Sequence, residues 1–67
     1  MILTDLQAGE RAVLLGAPDV LLPSALAAGK KVELVLKRPE LALVLADGVR
    51  FVLSGELARS LVVVRAP

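Results

Sequence analysis

The chain has 67 residues, 57% of them hydrophobic and nearly all of those Leu, Val or Ala, with eight basic and seven acidic side chains and a net charge of +1. Without Cys or His it offers no disulfide staple, no thiolate or imidazole catalyst, and none of the usual ligands for zinc, copper or non-haem iron. So balanced a charge creates no overall field for polyanions. A chain this short forms one domain, residues 1–67, and buries only about 60% of the surface its unfolded form exposes, so its core has to be rich in apolar groups.

The opening "LTDLQAGERA" places a turn at Ala8-Gly9 ahead of a predicted strand over Arg11–Leu15. In "DVLLPSALAAG", Leu22, Leu26 and Ala27 share one helical side and Gly29 is a natural stop, while Pro23 forbids a long regular helix. "KVELVLK", Lys31–Lys37, alternates as a strand with Val32, Leu34 and Leu36 on one face. "LALVLA", Leu41–Ala46, places Leu41, Leu43 and Leu45 on the large-residue face and Ala42, Val44 and Ala46 opposite. "VRFVL", Val49–Leu53, sets Val49, Phe51 and Leu53 against Arg50 and Val52. Asp47-Gly48 between the last two is a strong signal for a type I′ hairpin, and Pro39 in "KRPE" interrupts pairing between the first two. Ser54 reads as the N-cap of a helical turn over Glu56–Arg59, with Leu57 and Leu61 four apart to plug one end. Leu61–Arg65 is the last strand, with Val62 and Val64 outward if Leu61 and Val63 point in. The fold class predicted is mainly β: a small barrel of about five strands with one or two short helical turns, closed by its last strand so that no edge is left unpaired.

The residues carry little chemistry. Carboxylates are scattered singly, and Ser24, Ser54 and Ser60 have no histidine to activate them. Gly29-Lys30 lacks the first glycine and the Ser/Thr of a phosphate loop. The one aromatic, Phe51, lies on the core-like face and leaves no stacking platform for single-stranded nucleic acid. No catalytic group, cofactor site or metal site is expected. The longest uncharged stretch, Val20 to Gly29, is too short to span a bilayer, and the opening lacks the basic start and apolar centre of a signal peptide. A cytoplasmic location is expected.

Valines at supposedly outward positions are the informative oddity, because a solvated sheet face is normally polar. Either a strongly coiled barrel buries both faces in part, or the valines form an apolar patch that meets another protein. On the second view the partner surface is Val35, Val44 and Val52 flanked by Lys37, Arg38 and Arg50.

"LTDLQAGERAVL", "ALAAGKKVELVLK", "LALVLADGVRFVLSGELA" and "ARSLVVV" resemble, in order and spacing, the FeoA family. The resemblance runs from about Leu3 to Val64. It is strongest at Leu6 and Gly9, at Gly29 and Val32, and at Leu53 with Leu57-Ala58. It departs at Ala28, where Pro is common, and in the short Pro23 segment, where members commonly carry a longer basic helix. The resemblance implies an SH3-like barrel related to the C-terminal domain of DtxR-type repressors. It further implies a non-enzymatic accessory of ferrous iron transport that binds the cytosolic, GTPase-containing part of the FeoB transporter. Two alternatives stand beside it: a free-standing regulatory module that senses a metal or binds a regulator, and a barrel that self-associates through its valines.

Overall fold

A computed structural model describes residues 1–16, 22 and 26–66. A 3-10 turn over Leu3–Asp5 leads to β1 (Arg11–Gly16), β2 (Lys31–Lys37), β3 (Leu41–Ala46), β4 (Val49–Ser54), helix α1 (Gly55–Ala58) and β5 (Val62–Arg65). The strands form one antiparallel sheet in the order β4-β3-β2-β1-β5. The expected helical piece at 19–29 falls mostly outside the described residues. Within it Leu26 is buried, Leu22 packs against the core and Ala27 is exposed.

The sequence reading expects closure by the last strand, and the structure corrects this: among the described residues β4 and β5 remain two separate edges. The chain entering from the other end covers the β5 edge instead. Ile2 bridges Val62, the Leu3 amide donates to the Leu61 carbonyl at 2.9 Å, and the Val63 amide donates to the Met1 carbonyl at 2.9 Å. The turn between β3 and β4 is as expected. Asp47 and Gly48 hold φ of 51° and 75°, the positive pair that a type I′ turn demands.

The core unites Leu3 and Leu6 with Ala12, Leu14, Val32, Leu34, Ala42, Val44, Leu53, Ala58, Leu61 and Val63. On β3 the faces are the reverse of those expected. Ala42, Val44 and Ala46 are buried, and Leu41, Leu43 and Leu45 are only half-buried. The physical reason is space. Leucines from β1, β2, the 3-10 turn and the β5 entry already fill the interior, and α1 packs against β3, so small side chains suit its inner face. β2 departs as well. Leu34 pairs with Val44 but Leu36 pairs with Leu43, a bulge that makes Val35 the extra residue. Because a bulge shifts the alternation by one, Leu36 emerges on the outer face. Val49, expected inside, is 50% exposed beside the hairpin turn.

Candidate protein interface

The outer face of β2, β3 and β4 is built in rows set by strand pairing. In one row Arg11 lies opposite Glu33, Glu33 opposite Leu45, and Leu45 opposite Arg50. In the next, Leu36 lies opposite Leu43 and Leu43 opposite Val52, with Val35 bulging between the rows. Side chains directly across an antiparallel pair sit about 5 Å apart on one face, so Leu36, Leu43 and Val52 make a continuous apolar strip. Val52 is 69% exposed, the most open of the large apolar side chains among the described residues. A third row brings the Leu41 and Ser54 pair beside Arg38, whose amide donates to the Leu41 carbonyl at 2.7 Å.

Of the six residues expected to meet a partner, five are exposed: Val35, Lys37, Arg38, Arg50 and Val52. Val44 is not. It is 1% exposed and paired with Leu34 and Phe51 on the inner face, so it belongs to the core. Leu43 takes its place in the strip. Sequence reasoning misses Leu36 and Leu43 because both depend on the phase of a strand, which bulging and burial set, and Arg59 because only the fold brings it near β2.

Charges around this face divide into paired and unpaired. Arg11 meets Glu33 at 3.3 Å, Lys30 meets Asp47 at 3.6 Å, and Arg65 meets Glu10 at 2.9 Å. The Gln7 amide donating to Glu10, followed by the Arg65 guanidinium, holds the Glu10 carboxyl below its usual range. Among the described residues Lys37, Arg38, Arg50 and Arg59 have no carboxylate within ion-pair distance. Lys37 lies opposite buried Ala42, leaves the sheet at its end and donates to the Thr4 carbonyl at 2.9 Å. Arg59 follows α1 and donates to the Pro39 carbonyl at 3.2 Å.

α1 itself is held firmly. Ser54 Oγ accepts from the Leu57 amide at 3.1 Å, the N-cap expected, although the helix starts one residue early at Gly55. A Cβ on buried Gly55 would collide with the Pro39 carbonyl, so glycine is what lets the β2–β3 turn rest on the helix. Among the described residues no three His, Cys, Asp or Glu side chains gather as a metal site, and no helix is long and apolar enough to cross a membrane.

No family model and no curated protein matches the chain. Among solved structures, the crystal structure of an iron uptake regulatory protein, FeoA, superimposes with a TM-score of 0.87 at 18% identity, covering 98% of this chain and 96% of that one. Identity this low carries the architecture and not the activity, and at that level the outcome is plain: the chain has the FeoA fold.

Proposed function

We propose that this protein is a non-enzymatic, cytoplasmic accessory of ferrous iron transport that binds the cytosolic, GTPase-containing part of a FeoB-type transporter. The reading rests on a FeoA-like fold along nearly the whole chain. One observation carries the mode of action: an exposed apolar strip, Leu36, Leu43 and Val52, on a sheet face where polar residues are the norm. Contact is made through that strip, with Val35 at its margin and Lys37, Arg38 and Arg50 around it. The strip supplies the desolvated centre and the cations the polar rim, the usual division of a protein interface.

Calorimetric titration against the purified FeoB cytosolic region tests this. Binding is expected, and Val52→Glu, which places a charge at the β4 end of the strip where it is most exposed, abolishes it while leaving the fold intact by circular dichroism. No association at concentrations well above micromolar refutes the reading.

A further inference from the structure

Thr4, Lys37, Arg38, Pro39 and Arg59 line an open cleft of about 300 Å³ between the first turn of the chain, the β2–β3 turn and the end of α1. Three of the five are cations without an ion-pair partner among the described residues. Glu40, the carboxylate nearest in sequence, pairs with none of them. Two of the cations are nevertheless held in place. Lys37 is tethered to the Thr4 carbonyl and Arg59 to the Pro39 carbonyl. Carbonyl oxygens fix the position of a cation without neutralising it, and they leave the remaining donors of the ammonium and the guanidinium free.

We infer that this cleft is an anion seat for carboxylate side chains of an extended, acidic segment of the partner protein, whose apolar residues lie along Leu36, Leu43 and Val52. Two features favour carboxylates on a polypeptide over a phosphate group. Phosphate cradles rely on convergent backbone N–H groups, and here the Arg38 amide is taken by the Leu41 carbonyl, the Arg59 amide by the Gly55 carbonyl, and Pro39 has none. The cleft shares Arg38 with the edge of the outer face, since the Arg38 amide bonds the carbonyl of Leu41 in the row next to Leu36, Leu43 and Val52. A ligand filling both therefore alternates charge with hydrocarbon, as an extended peptide does. The inference rests on the proposed partner role and narrows it to one chemistry.

The test is an NMR titration of the intact chain with a blocked peptide of alternating glutamate and valine, its glutamine counterpart, and inorganic phosphate. The glutamate peptide is expected to move the amides of Thr4, Arg38, Leu43, Val52 and Arg59, and the glutamine peptide to move none. The double variant Arg38→Gln with Arg59→Gln weakens binding about tenfold, from the loss of charge-assisted hydrogen bonds. Arg38→Gln alone, which removes no side-chain hydrogen bond among the described residues, weakens it by a smaller factor. Equal binding of the glutamine peptide, shifts centred elsewhere, or phosphate binding as tightly as the peptide overturns the inference. Peptide binding without association to FeoB removes the proposed function and leaves the cleft standing. Association with FeoB that the double variant does not weaken removes the cleft alone.

Discussion

Val44 and Val52 show how little a side chain's identity reveals about its place. Both are valines in strands with apolar neighbours, yet one is sealed in the core and the other is 69% exposed. Truncation separates them. Val44→Ala, which removes two buried methyl groups and leaves a cavity, lowers stability by about 2 kcal/mol. Val52→Ala, on open surface, stays within about 0.5 kcal/mol of the parent. Urea unfolding of the two variants measures this, and equally small losses would restore the expectation from the sequence that both valines face outward. Ser54 was legible because capping is local chemistry: a hydroxyl that accepts an amide three residues on. Val44 was not, because its burial depends on leucines distant in sequence filling the space first.

Strand positions were legible where alternation or turn chemistry marked them. Lys31–Lys37 and Leu41–Ala46 match the sequence reading end to end, and Asp47-Gly48 makes the turn assigned to it. At β5 the condition set by the sequence is met: Leu61, just before the strand, and Val63 are buried, and Val62 and Val64 are exposed. Faces were not legible on β3, whose two sides are both apolar, or beyond the β2 bulge, which no periodicity announces. Among the links between elements, the Glu10 and Arg65 pair fastens the approach to β1 to the end of β5. With its carboxyl held below the usual range, folded Glu10 gives up its proton more readily than unfolded Glu10 does. Its stabilising contribution is therefore complete above the ordinary carboxylate range and fades as the pH falls through the lowered folded value. Glu10→Gln should be less stable than the parent at about pH 7 and indistinguishable from it at about pH 2. Denaturant midpoints at both pH values check this, and a gap that persists in acid would show that the carboxylate charge is not its source.

At the scale of the molecule, 67 residues leave a modest core, and any surface a partner covers matters to stability. A ligand of the native state at 100 times its dissociation constant stabilises by about 2.7 kcal/mol. For a domain of this size that is a rise in melting temperature of roughly 10–20 °C. The FeoB cytosolic region is expected to produce such a rise, read from the tryptophan-free circular dichroism signal of this chain after subtraction of the partner alone. An unchanged melting temperature at saturation would contradict it. The overall architecture was legible, since short alternating strands with tight turns have few arrangements open to them. The cleft was not, because its three cations come from β2, the turn after it and the residue after α1, and only folding assembles them.

The Asp47-Gly48 corner has a consequence beyond its own geometry. On β3, where hydrocarbon lies on both sides, sliding by one position would trade one greasy surface for another, and burial alone would scarcely object. The corner does object, because the two-residue loop of Asp47 and Gly48, with both φ angles positive, ties Ala46 to Val49 and so fixes the alignment of β3 with β4. The fidelity of the meander is thus stored in two residues that belong to no strand.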